Sequence, residues 1–203
     1  VQIAPMTTGE SVEAIARNVL IAAPDRFALA GLSMGGIVAM ELLRQAPKRI
    51  TRLMLMDTNC QGEMPNVAAA REPQIARARA GRMREVMQDE IKPNYLAPNE
   101  RREDVLDMVI EMALDLGPEV FARQSRALQR RPDQQSTLRR SKVPTAVVCG
   151  EHDTLYPVRR HEFIAELMPN ATLEIIPGAG HLPPLEQPKM TTELMKLWLS
   201  SPL

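Results

Sequence analysis

The stretch Gly31-Leu32-Ser33-Met34-Gly35-Gly36 carries the residue types most plainly fit for chemistry. The apolar run Phe27-Ala28-Leu29-Ala30 precedes it, and Ile37-Val38-Ala39-Met40-Glu41-Leu42-Leu43 follows at helical spacing. A serine framed by glycines between these runs reads as a sharp strand-to-helix turn. Such a turn holds the serine in a strained conformation, and only glycines leave room for neighbouring backbone to pass. The Ser33 hydroxyl then stands at the end of a sheet. The N–H of Met34, at the start of the helix, can meet a developing oxyanion. A bare G-x-S-x-G also fits a phosphate-binding or ordinary glycine-rich turn; the flanking strand and helix favour a nucleophile.

A serine hydroxyl needs a base to take its proton. His181 follows Pro177-Gly178-Ala179-Gly180, directly after an apolar run. That is the loop position at which catalytic groups collect in open α/β sheets. His161 sits inside a predicted helix among charged neighbours and reads as solvated. His152, beside Asp153, is a weaker candidate. The base in turn needs a carboxylate to fix its tautomer and balance the imidazolium. Asp153, just past the run Ala146-Val147-Val148-Cys149, fits that role. Asp57 also ends an apolar run and is its competitor, while a helix cap near Pro157 is the plain alternative for Asp153. The expected roles are Ser33 as nucleophile, His181 as base, Asp153 as orienting acid and Met34 as oxyanion donor. Neither a metal nor an organic cofactor is expected, because the histidines are not spaced as ligands and no Cys/His cluster occurs.

Holding these residues together requires alternating strands and helices, and the sequence supplies them. Apolar runs at residues 1–5, 26–30, 50–56, 144–150 and 172–177 are predicted strands. Residues 10–23, 37–45, 158–168 and 186–200 are predicted helices. Strands separated by helices imply a mostly parallel sheet with crossover helices on its faces. Residues 60–141 differ: segments 68–89, 103–116 and 119–129 are rich in Ala, Arg, Glu and Met, with amphipathic spacing and no convincing strand. They read as a helical cap (60–141) inserted into a core made of 1–59 and 142–203.

A chain of 203 residues suits one ordinary domain. Lys plus Arg equals Asp plus Glu at 25 each, which argues against nucleic acid or an anionic membrane as partner. Apolar runs all fall short of the roughly 18 residues of a membrane span. No signal peptide is recognisable, which carries little weight in a chain that opens with Val1 rather than Met; a cytoplasmic location is the expectation. Two cysteines, Cys60 and Cys149, make no disulfide framework, and Cys149 reads as a small buried hydrophobe. Arg77, Arg84, Arg123 and Arg126 could meet a substrate carboxylate, but arginines beside Glu and Asp on helices more often form solvated faces.

Three blocks together resemble the α/β-hydrolase superfamily: Gly31 to Gly36, Gly150-Glu151-His152-Asp153-Thr154-Leu155-Tyr156-Pro157, and Gly178-Ala179-Gly180-His181. Their order, Ser then Asp then His, is that family's order. The similarity is greatest to small carboxylesterases and lactone hydrolases, a group that includes 3-oxoadipate enol-lactone hydrolase. The resemblance implies hydrolysis of a small carboxylic ester or lactone through an acyl-enzyme on Ser33. Its inserted helices would be the family's lid, its partner a small molecule, and a homo-oligomer is compatible with it. Other readings of the same residues are carbon–carbon bond hydrolysis, cofactor-free peroxidation, or a non-catalytic binding protein that keeps the fold.

The sequence departs from the family at its start. Relatives carry earlier strands and a loop that supplies a second oxyanion N–H. No such segment precedes Val1, so a gap inside the sheet is expected next to the strand at 1–5. The favoured reading is a fragment of a longer protein; the others are a strand donated by another chain, or a sheet closed over the loss. Loss of one oxyanion donor would reduce turnover by ~10²–10³.

Overall fold

A computed structural model describes residues 1–201, the side chains of 90–94 apart. Four of the five apolar runs become strands: β1 (Phe27–Leu32), β2 (Ile50–Met56), β3 (Thr145–Gly150) and β4 (Ala171–Ile176). They form one sheet in the order β1-β2-β3-β4, and every adjacent pair is parallel. All six residues of β3 are buried, as an unbroken apolar run covered on both faces demands. Alternation along β2 divides the core in two. Leu53 and Leu55, with Val147 of β3, face α1 (Val12–Ala22), α2 (Met34–Gln45) and α7 (Val158–Leu167). Met54 and Met56, with Ala146 and Val148, face Leu194, Met195 and Trp198 of α9 (Pro188–Ser200). Successive side chains leave a strand on opposite faces, so both layers follow from one strand's sequence.

Local chemistry fixes where several helices begin and end. Ser11 caps α1, its Oγ accepting from the Ala14 N–H at 3.2 Å. Trp198 of α9 donates its indole N–H to the Leu53 carbonyl at 3.1 Å, tying that helix to β2.

Residues 1–5 are not a strand, contrary to the sequence reading, and Val1 and Ile3 are exposed. A five-residue run gains nothing from extension unless a neighbour pairs with its backbone, and among the described residues no strand pairs with it. With no strand at 1–5 to stand beyond the expected gap, β1 pairs with β2 on one side and is an edge of the sheet among the described residues.

Between β2 and β3 the chain is helical, as its composition predicted. It runs through α3 (Pro65–Arg77), α4 (Met83–Asn94), α5 (Arg102–Gln129) and α6 (Gln135–Arg140). The sequence reading had one helix over 68–89; it is interrupted at Ala78–Arg82, where Gly81 adopts φ +81°. Only glycine enters that region without strain, so a kink settles there. Gly117, at φ +78° and followed by Pro118, likewise divides α5 into the two predicted pieces. Ala78, Met83 and Val86 pack against Phe121, Leu114 and Ala113 in a small separate core. Helix α6 was not foreseen; it is six residues long, too short for a periodic signal.

The four arginines singled out in the sequence are engaged locally. Arg77 pairs with Asp89, Arg84 with Glu111, and Arg126 lies 3.8 Å from Glu72. Arg123 donates to the Thr7 carbonyl. Cys60 and Cys149 are both buried and free. Burial pushes their thiols up to about 11 and about 12. No helix among the described residues is long and apolar enough to cross a membrane.

Candidate active site

The strand ends collect the chemistry. Ser33 leaves β1 with φ +51° and ψ −114°, outside the regions an L-residue ordinarily occupies, and α2 starts at the next residue. The turn is tight enough that a Cβ on Gly31 would lie 2.7 Å from the Gly36 nitrogen, and one on Gly36 2.6 Å from the Thr58 side chain. Both positions therefore require glycine. The strain is held from several sides: Ser33 N–H donates to the Met56 carbonyl, and Thr58 Oγ1 donates to the Ser33 carbonyl at 2.8 Å. Met34 opens α2, so its N–H is among the first-turn donors that no helical carbonyl can reach.

Three residues distant in sequence meet here. His181 Nε2 lies 2.8 Å from Ser33 Oγ, and His181 Nδ1 lies 2.9 Å from Asp153 Oδ2. His181 and Asp153 are almost wholly buried. A proton on Nδ1, donated to the carboxylate, leaves Nε2 free to accept from the serine hydroxyl. The other oxygen of Asp153 accepts from the N–H groups of Leu155 and Tyr156, at 2.9 and 3.0 Å. Three donors thus hold the carboxylate, which cannot swing away without losing them. Tyr95 and Tyr156 flank the imidazole, with ring centroids 5.0 and 5.6 Å from it.

The remaining candidates fall elsewhere. His152 is half exposed and lies 3.6 Å from Glu151. Asp57 is not the partner of His181; its Oδ1 accepts from the Gly150 N–H at 2.8 Å. His161 corrects the sequence reading: it is fully buried, not solvated, and its Nε2 accepts from the Thr58 N–H at 3.0 Å. Burial lowers it to about 4, so the ring is neutral. The signal was present, because His161, Ile164 and Met168 recur at helical spacing and all three are buried.

Glu186 was not singled out in the sequence. It is buried, and its carboxylate accepts from the N–H groups of Ala97, Gly180 and Leu182 at 2.7, 3.0 and 2.9 Å. It thereby pins both sides of the His181 loop and joins them to the stretch after α4. The His181 N–H adds a bond to the Tyr95 carbonyl at 2.6 Å.

Among the described residues, one trio offers ligand atoms close enough for a cation: Asp57, Asp153 and His161, all within 4.8 Å. Asp153 already spends its oxygens on His181 and two backbone donors, and His161 Nε2 on Thr58.

Comparison with known proteins places this geometry in context. The alpha/beta hydrolase family model matches residues 5–194. A pimeloyl-[acyl-carrier protein] methyl ester esterase of Aromatoleum aromaticum is 28% identical over 200 residues, covering 89% of this chain and 77% of that protein. Among solved structures, a thermophilic esterase from Thermogutta terrifontis, with malate bound, superposes with a TM-score of 0.88 at 29% identity. The match covers 98% of this chain and 74% of that one. The enol-lactonase from Burkholderia xenovorans LB400 superposes with a TM-score of 0.83 at 24% identity, over 96% of this chain and 75% of that one, a similarity of fold.

Proposed function

We propose, given that this chain belongs to the alpha/beta hydrolase family, that it hydrolyses a small carboxylic ester or lactone through an acyl-enzyme on Ser33. The observation that carries this reading is the continuous contact from Ser33 Oγ through His181 to Asp153, at 2.8 and 2.9 Å. Relatives named as esterases, at 28% and 29% identity, support an ester as the bond broken.

Ser33 Oγ attacks the carbonyl carbon as His181 Nε2 takes its proton. Asp153 balances the imidazolium and keeps the ring oriented. The Met34 N–H, pointing out of the first turn of α2, meets the tetrahedral oxyanion. Collapse breaks the bond to the leaving alkoxy oxygen, which receives the proton from His181. A water then gives its proton to His181 and attacks the acyl carbon, releasing the acid and restoring the Ser33 hydroxyl.

The helices between residues 60 and 141 act as a cap over this centre, with 1–59 and 142–203 as the core. Two contacts support that division of labour: the Tyr95 ring lies tilted against His181, and Ala97 shares Glu186 with Gly180.

Ser33→Ala decides the reading. Hydrolysis of p-nitrophenyl acetate is expected to fall by ~10⁴-fold or more, and labelling by a fluorophosphonate to disappear. A variant that keeps its esterase rate rules the mechanism out.

A further inference from the structure

Asp57 and Thr58, at the end of β2, touch both halves of the site without being part of the Ser33–His181–Asp153 contact. Thr58 supports the Ser33 carbonyl, and its own N–H is held by neutral His161. Asp57 takes positive φ, +42°, which aims its fully buried carboxyl toward the end of β3. One oxygen accepts from Gly150 N–H. The other, Oδ2, meets no donor at all. The carboxyl instead lies near Asp153, with a carboxylate oxygen of each residue within 4.8 Å of the other's. Two buried carboxylates in contact cannot both ionise, and neither can donate to the other without a proton.

We propose that Asp57 is a positioning residue of the site: it keeps its proton at neutral pH and donates a hydrogen bond to the Asp153 carboxylate, fixing that carboxylate for His181. Asp153 is the acceptor of the pair, because His181 Nδ1 and two backbone N–H groups already converge on its oxygens. Asp57 has one backbone donor and no cation. The charges facing it all favour the neutral acid or leave it alone. Asp153 and Glu186 are acidic, His161 is uncharged, and Cys149 on β3 keeps its thiol proton. Burial first, then the Asp153 charge, pushes Asp57 up to about 9, in agreement with the geometry. The proposal rests on the acyl-enzyme reading for its effect on rate, though not for the proton itself.

The test uses Asp57→Asn, which keeps an acceptor for Gly150 and a donor for Asp153, and Asp57→Ala, which keeps neither. Infrared spectra of the wild-type protein at pH 7 should contain the C=O band of a protonated carboxyl that vanishes in Asp57→Asn and survives Ser33→Ala. In kinetics, Asp57→Ala should lose on the order of 10-fold in kcat with little change in KM, and Asp57→Asn should restore it. The wild-type kcat/KM should fall above pH ~9 as Asp57 ionises against Asp153, and that alkaline limb should be missing in Asp57→Asn. Absence of the infrared band, or an inactive Asp57→Asn, overturns the proposal. An Asp57→Asn enzyme with an unchanged alkaline limb does the same. A folded wild-type protein that shows the band yet hydrolyses no ester and takes no fluorophosphonate overturns the catalytic reading instead, and with it the effect on rate.

Discussion

Replacing Gly150 by alanine probes how closely the Asp153 and His181 loops must approach. β3 ends at Gly150, three residues before Asp153, and passes directly under the chain that leads into His181. A Cβ at this position would lie 2.5 Å from the Ala179 carbonyl oxygen and closer still to that of Gly180. Carbon and oxygen rest more than 3 Å apart, so the two loops would have to separate by about 1 Å. Nothing nearby can rotate out of the way, because both obstacles are backbone. The His181 side is pinned as well: Gly180 N–H bonds Glu186, His181 N–H bonds Tyr95, and the Ala179 carbonyl accepts from His152 N–H at 2.8 Å. Overpacking of this kind costs about 1–3 kcal/mol, and a backbone clash belongs at the upper end. The catalytic cost is larger, since a 1 Å misplacement across the 2.9 Å His181–Asp153 contact is worth roughly 10²-fold in rate. Urea denaturation and kcat/KM for p-nitrophenyl acetate measure the two effects separately. Gly62→Ala is the control, because its new methyl would meet the Arg131 carbonyl at 3.6 Å, an ordinary contact. A Gly150→Ala enzyme within about 0.5 kcal/mol of wild type and equally active would refute the claim that these loops are held at fixed separation.

Two further expectations concern buried charge. Asp57, raised from 3.8 to about 9, takes up a proton on folding, so its contribution to stability declines as pH rises through that interval. His161, lowered from 6.5 to about 4, acts oppositely and favours the fold as pH rises between those values. The two should nearly cancel below pH 6.5; above it stability should fall by about 1 kcal/mol per pH unit toward pH 9. Urea midpoints at pH 5, 6.5 and 8 test this, and a wild-type stability that rises between pH 6.5 and 8 contradicts it. Glu63 is a buried carboxylate shared by Arg71 and Arg131, whose side chains are 19% and 4% exposed. Burial pushes Glu63 up, but the hydrogen bond and charge of Arg71, with those of Arg131, outweigh it and hold the group low. Glu63→Gln leaves two enclosed guanidinium groups without a counter-charge and should cost about 3–5 kcal/mol in urea unfolding. A loss under about 1 kcal/mol would show the arginines finding other partners.

Much of the site could be read from sequence because its parts sit at punctuation. Ser33, Asp153 and His181 each follow an apolar run that ends in glycine, or lie a few residues beyond one, and strand ends are where such runs stop. The strands themselves were legible for the same reason, except residues 1–5, whose apolar character had no neighbour to act on. What sequence did not convey is the support. Glu186 and Thr58 act through contacts spanning 89 and 25 residues of chain, and no local pattern marks such a partner. His161 was misplaced because Arg159, Arg160 and Glu162 beside it look like a solvated face. Neighbours in sequence point away from one another on a helix, and the i, i+3 spacing to Ile164 was the better guide.

The two enclosed thiols give this molecule a built-in clock. Cys60 and Cys149 lie in the main core and in the central strand, with sulfurs that stay protonated far above neutral pH. A maleimide or disulfide reagent can reach them only when those layers come apart. The rate of thiol capture therefore reports how often the interior opens, strand β3 through one sulfur and the packing behind β2 through the other. Equal rates at the two sulfurs would mean that the sheet and its helical layer open as one unit.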